Sequence, residues 1–163
     1  MNELSIIGET VVTPGGAYAD GVVNIRNGKI VGVGPAREER PLRGAEILRC
    51  DGQFILPGFV DIHVHGALGY DTMANSCEAL DKISRFYASH GTTSLLMTTI
   101  SSPIDELIKT VASVKETMER GVSGSEILGV HIEGPYYIYE QRGCHAPRFL
   151  RTPSPSDYLP LLD

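Results

Sequence analysis

The stretch FVDIHVHGALGYD, residues 59–71, decides how the chain is read. Its opening residues are apolar and rich in Val and Ile, which is strand chemistry, yet His63 and His65 stand one residue apart where an apolar core would be simpler. In a strand, residues i and i+2 point to one face, so the two imidazoles project side by side while Val64 packs on the other. Pro57-Gly58 precedes the run and Gly66 follows it, which puts the histidines at the strand's C-terminal end. Active sites of parallel α/β folds gather at that end, and neutral imidazole is the commonest transition-metal ligand. The pair therefore reads as half of a zinc-like site, the alternative being two histidines satisfied by ordinary hydrogen bonds.

Downstream the rhythm is strand, helix, strand, helix, strand, the pattern of parallel strands joined by crossover helices. Strands are expected at 59–64, 93–99 and 127–132, all apolar enough to be buried on both faces. The first helix, about 76–89, has Ser76 as N-cap and places Leu80, Ile83 and Tyr87 on one face. The second has Ser102 as N-cap, Pro103 at its first position and Asp105 and Glu106 in its first turn. Leu107, Ile108, Val111, Val114 and Met118 then point inward, and Gly121 ends it. Residues 134–156 read as a long loop, and SPSDYLPLLD, 154–163, as a third helix barely begun. Upstream, residues 3–56 read as a small antiparallel β unit, with hairpin signals at Asn27-Gly28 and Asp51-Gly52. The chain thus divides into 1–56 and 57–163.

The third strand repeats the move of the first. ILGVHIEGPYY, residues 127–137, places His131 and Glu133 on one face at a strand's C-terminal end. A carboxylate in so apolar a segment needs a cation or solvent, so Glu133 is either a metal ligand or an exposed loop-edge group. His131 is a ligand, a substrate contact, an orienting group or simply structural. Asp61 shares the histidines' face one layer deeper. Arg142, in the loop, can approach an anionic ligand or be merely solvated.

Composition bounds the rest. The 163 residues, 42% hydrophobic and 21% charged, suit one sizeable globular core, and no apolar run approaches the roughly 18 residues of a membrane span. The start MNELSIIGETVV lacks signal-peptide features, so the cytoplasm is the expected location. A net charge of −6 argues against a nucleic-acid surface. Cys50, Cys77 and Cys144 are odd in number and widely spaced, which suggests free thiols. Gly32-Val33-Gly34 is followed by Pro35 and lacks the third glycine of a dinucleotide loop.

PGFVDIHVHG (57–66) together with GVHIEGPYYIYEQRGCH (129–145) resembles the N-acetylglucosamine-6-phosphate deacetylases of the amidohydrolase superfamily. The first motif is general to the superfamily; the second is far more specific. The resemblance implies an α/β fold: a small β-sandwich segment at 1–56, then the first three βα units of a (β/α)8 TIM-type barrel at 57–163. It implies a divalent metal, zinc or iron, held by His63, His65 and Glu133, with His145 and the backbone of Gly143 and Cys144 contacting the sugar. The implied reaction is metal-dependent hydrolysis of N-acetylglucosamine 6-phosphate to glucosamine 6-phosphate and acetate, by a homo-oligomer in its full-length form. The family's acid/base aspartate and remaining metal histidines belong to strands beyond residue 163. A barrel of this kind takes about 250 residues, so the chain is expected to be an N-terminal portion that holds metal weakly or not at all and releases no acetate alone. Competing readings are another amidohydrolase, acting on a cyclic amide or an N-acyl amino acid, and a non-catalytic fragment that binds metal or sugar phosphate or assembles with a partner chain.

Overall fold

Pro14-Gly15 turns β1 (Glu3–Thr13) back into β2 (Gly16–Arg26), and Asn27-Gly28 turns β2 into β3 (Lys29–Pro35). Asn27 and Gly28 both have positive φ, 51° and 75°, as the turns matched to strand twist require. β4 (Glu46–Ile55) completes a four-stranded sheet of order β3-β2-β1-β4. The computed structural model describes residues 3–162 and divides the chain into two compact units, Met1–Pro57 and Gly58–Asp163.

Two expectations for this first unit are corrected. β4 pairs with β1 in parallel, so the sheet is mixed rather than antiparallel. Asp51-Gly52 makes no hairpin: it lies inside β4, where the register jumps from Gly8↔Cys50 to Thr10↔Phe54. The extra residues bulge, and Gly52 absorbs the bend at φ 69°. Both halves of β4 find their partner in β1, so the local turn chemistry serves a bulge instead.

In the second unit β5 (Phe59–Val64) is followed by a short hairpin, β6 (Gly66–Ala67) with β7 (Tyr70–Asp71), then α1 (Cys77–Ala88), β8 (Thr92–Thr98), α2 (Ile104–Arg120), β9 (Glu126–His131) and α3 (Pro155–Tyr158). The three long strands form a parallel sheet of order β5-β8-β9. Ser76 caps α1 by accepting from the Ala79 N–H, and Gly121 ends α2 with φ 76°. α2 begins one residue later than expected, with Pro103 at the cap and no side-chain cap from Ser102. Its buried face is Leu107, Thr110, Val114 and Thr117, while Ile108 and Met118 are exposed. The threonines can be buried because the Thr117 hydroxyl donates to the Ser113 carbonyl one turn back and the Thr110 hydroxyl lies 2.8 Å from Asn75 Oδ1 and 3.1 Å from the Glu106 carbonyl.

Val64, Leu80, Ile83, Leu95, Met97, Val114 and Ile127 form the core between helices and sheet. The other face of the sheet is open at Leu128, exposed beside buried Ile127, and on the edge strand β5 Val60 and Ile62 are exposed as well. The expectation of strands buried on both faces therefore fails at Leu128 and on β5. No helix among the described residues is long and apolar enough to cross a membrane.

Asp81 on α1 ties down the loop before β9, accepting from the Ser123 N–H at 2.7 Å and the Ser123 hydroxyl at 2.8 Å. The Ser123 backbone N–H holds the Asp81 carboxyl below its ordinary value, burial pushes the other way, and the Ser123 hydroxyl assists the lowering. Its folded pKa lies below the unfolded one, so the stabilisation is complete above the unfolded value, near 4, and is lost as pH falls through the folded value. Asp81→Ala should lower Tm at neutral pH, and its gap from the parent chain should close in strong acid. A constant gap across a pH series of thermal melts would contradict this.

Candidate metal centre

The histidine pair sits where β5 leaves the ladder. The last register pairs are Asp61↔Leu95 and Val64↔Met97, with a shift between them. Side chains take over the backbone groups there: the His63 N–H donates to Asp61 Oδ1 at 3.0 Å and the Val64 N–H to Thr98 Oγ1 at 2.8 Å. Thr72 closes the segment from below, its N–H on the His65 carbonyl at 2.7 Å and its hydroxyl on the Val64 carbonyl at 3.2 Å. Val64 is buried in the core. The His63 and His65 side chains, 50% and 45% exposed, stand on the opposite side.

Glu133 arrives from the bend after β9, two residues beyond the strand. Its N–H donates to Thr99 Oγ1 at 3.2 Å. Gly134 makes the bend possible: it takes φ 79°, and a Cβ there would run into Ser101 Oγ. Glu133 Oε2 lies 3.0 Å from His63 Nε2 and 2.9 Å from His65 Nε2, and the two nitrogens are 3.1 Å apart. Among the described residues this is the one cluster of three His, Cys, Asp or Glu side chains that could hold a metal ion. Ligand atoms around a tetrahedral ion with bonds of about 2.0–2.1 Å stand about 3.3 Å apart, so the triangle fits one ion with little adjustment. Two imidazole nitrogen donors and one carboxylate oxygen suit zinc or another first-row divalent ion. Burial alone would raise the Glu133 pKa, but hydrogen bonds with His145 and His63 and the charge of His63 and His65 prevail and hold it below the usual range. The carboxylate is thus ready as an anion.

The sequence model of the amidohydrolase family matches residues 54–158. The chain belongs to the amidohydrolase family. Among curated amidohydrolase relatives, it is 35% identical over 150 residues to the N-acetylglucosamine-6-phosphate deacetylase of Bacillus subtilis (strain 168), an alignment covering 90% of this chain and 37% of that protein. It is 30% identical over 141 residues to the N-acetylgalactosamine-6-phosphate deacetylase of Escherichia coli O157:H7, covering 86% of this chain and 36% of that one. Its fold resembles N-acetyl-D-glucosamine-6-phosphate deacetylase from Mycobacterium smegmatis, solved as a variant in complex with N-acetyl-D-glucosamine-6-phosphate. The TM-score is 0.84 at 25% identity, over 100% of this chain and 41% of the other. The chain therefore spans between a third and a half of the length of these relatives.

The other expected site residues of this amidohydrolase chain are placed as follows. His131 packs edge-on against His63, ring centroids 4.8 Å apart, with Nδ1 3.4 Å from Thr98 Oγ1. It is not one of the three clustered ligands. His145 is buried, only 4% exposed, with Nε2 3.2 Å from Glu133 Oε1 and Nδ1 2.7 Å from Ser101 Oγ. The Ser101 N–H, which can only donate, also points at Nδ1, at 3.3 Å. Nδ1 is therefore the acceptor, and Nε2–H donates to the carboxylate. Gly143 and Cys144 are exposed beside it. Arg142 turns back on its own loop, donating to the Tyr139 carbonyl and stacking over the Tyr139 ring, so it is not aimed at the cluster. Asp61 serves the His63 backbone. Sequence reasoning overlooked Thr72, Thr98, Thr99 and Ser101. The run TTISS at 98–102, polar residues ending an apolar strand, is the signal that could have found the last three.

Proposed function

We propose that His63 Nε2, His65 Nε2 and Glu133 Oε2 hold a divalent metal ion, zinc or iron, and that the chain is the metal-binding portion of an N-acetylglucosamine-6-phosphate deacetylase. The triangle of donors, with edges of 2.9–3.1 Å, carries this reading, in a chain whose relatives are 6-phosphate deacetylases. When bound, such an ion supplies a Lewis acid that acidifies water toward neutral pH and polarises an amide carbonyl. The chain's own residues do the rest of what can be assigned. His63 and His65 supply nitrogen donors with half-exposed rings, which leaves solvent and substrate an approach. Glu133 supplies the negative charge, and His145 Nε2–H holds its second oxygen. Gly143 and Cys144, exposed next to His145, are the segment read as facing the sugar.

The same reading makes β5, β8 and β9 with their crossover helices the first three βα units of a (β/α)8 barrel, and residues 1–56 part of a β-sandwich segment. Leu128, exposed on the sheet face opposite buried Ile127, supports it, because a barrel interior is filled by layers of such branched side chains. With three ligands in place the chain binds metal, though more weakly than a site with further ligands. The full-length protein is read as a homo-oligomer.

The reaction adds water across the amide bond, releasing acetate and the free sugar amine. The test is acetate release by the whole protein from N-acetylglucosamine 6-phosphate, with N-acetylgalactosamine 6-phosphate beside it because one relative acts on that epimer. Release that disappears in His63→Ala supports the reading. Undiminished release in that variant would overturn the metal role, and activity on the galacto epimer alone would replace the substrate.

A further inference from the structure

β8 lies between β5 and β9 yet contributes no ligand to the cluster. Its C-terminal end instead contributes hydroxyls. Thr98 Oγ1 accepts from the Val64 N–H, between the two histidines, and lies 3.4 Å from His131 Nδ1, to which its own proton can be donated. Thr99 Oγ1 accepts from the Glu133 N–H at 3.2 Å. Ser101 Oγ lies 2.7 Å from His145 Nδ1, and His145 in turn meets Glu133 Oε1. Thr98 and Thr99 are fully buried and Ser101 is 3% exposed.

Buried threonines ordinarily satisfy themselves on a carbonyl one turn back in their own helix, as Thr117 does. These three hydroxyls instead reach 34 to 44 residues along the chain, each to a segment that carries a clustered side chain or its support. A hydrogen bond out of water is worth more than one in it, and leaving its partner unpaired there is costly. Each hydroxyl therefore fixes a position that packing alone would leave loose.

We propose that Thr98, Thr99 and Ser101 are positioning residues that hold His63, His65 and Glu133 at metal-binding spacing before any ion arrives. This rests on the metal reading above. Groups that orient ligands from behind typically change metal affinity by about 10- to 100-fold, and that is the loss expected here for Thr98→Val, Thr99→Val and Ser101→Ala.

The experiment titrates the chain with Co²⁺, read by its visible absorption, alongside Tm of each metal-free variant. Thr98→Ser and Thr99→Ser keep the hydroxyl and should bind Co²⁺ much as the parent does. Affinity lost with Tm nearly unchanged, and restored by serine, is the expected result. Parent-like affinity in the hydroxyl-free variants, or equal loss in the serine variants, would overturn the proposal while leaving the metal site standing. A parent chain that takes up no Co²⁺ would overturn the metal reading and this proposal with it. Should one valine variant fail to fold, Ser101→Ala, the mildest truncation, decides.

Discussion

Glu133→Ala is expected to reduce divalent-metal affinity by more than the about 10- to 100-fold typical of a supporting residue. The substitution removes the only anion of the cluster and the atom that joins all three donors, since Oε2 is within 3.0 Å of both Nε2 atoms. It also strands His145, whose Nε2–H loses its acceptor in a buried place. Glu133→Gln separates these effects: its amide oxygen can still accept from His145, but the charge is gone and an NH₂ group faces the ion. Glutamine should therefore fold as the parent does and still bind metal poorly. Zn²⁺ calorimetry on both variants checks this, and an affinity within tenfold of the parent in either would show that Glu133 is not a ligand.

Leu95→Ala should cost about 2–5 kcal/mol, the usual range for emptying a buried leucine site. Leu95 is fully buried on the central strand, in the cluster formed with Leu80, Ile83, Met97 and Val114. Ile62→Ala, on the edge strand β5 where the residue is 64% exposed, should change the stability of this chain by no more than about 0.5 kcal/mol. Urea unfolding of the pair measures both. Equal losses would mean that Ile62 is as well covered as Leu95 in solution.

Much of this arrangement is legible in the sequence because it follows local periods. His63 and His65 share a face by the two-residue period of a strand, and Ser76 and Gly121 bound helices by capping chemistry. What escapes a sequence reading depends on distant partners. Asp51-Gly52 has hairpin chemistry, but whether QFIL folds back on AEILRC or continues beside β1 is decided by β1, some forty residues away. Ile108 and Met118 fit the apolar stripe of α2, yet buried Thr110 and Thr117 displace them because their hydroxyls find carbonyls within the helix. His145 looks like a loop residue until the loop folds it onto Ser101, forty-four residues earlier. The hydroxyls of Thr98 and Thr99 are hidden for another reason: threonine is a good strand former, so propensity alone explains its presence and nothing prompts a second reading. Glu133 lay between these cases, its carboxylate conspicuous in an apolar run but its distance to the histidines unknowable without the fold.

Two imidazoles and one carboxylate are placed to share a single ion. X-ray absorption at the zinc edge, on the chain loaded with less than one equivalent of Zn²⁺, tests it most directly. The expected spectrum shows a shell of nitrogen and oxygen atoms at about 2.0–2.1 Å, with the multiple scattering of two imidazole rings and no sulfur. A sulfur neighbour at about 2.3 Å, as Cys144 or another of the free thiols would give, or a spectrum unchanged in His63→Ala, would contradict it.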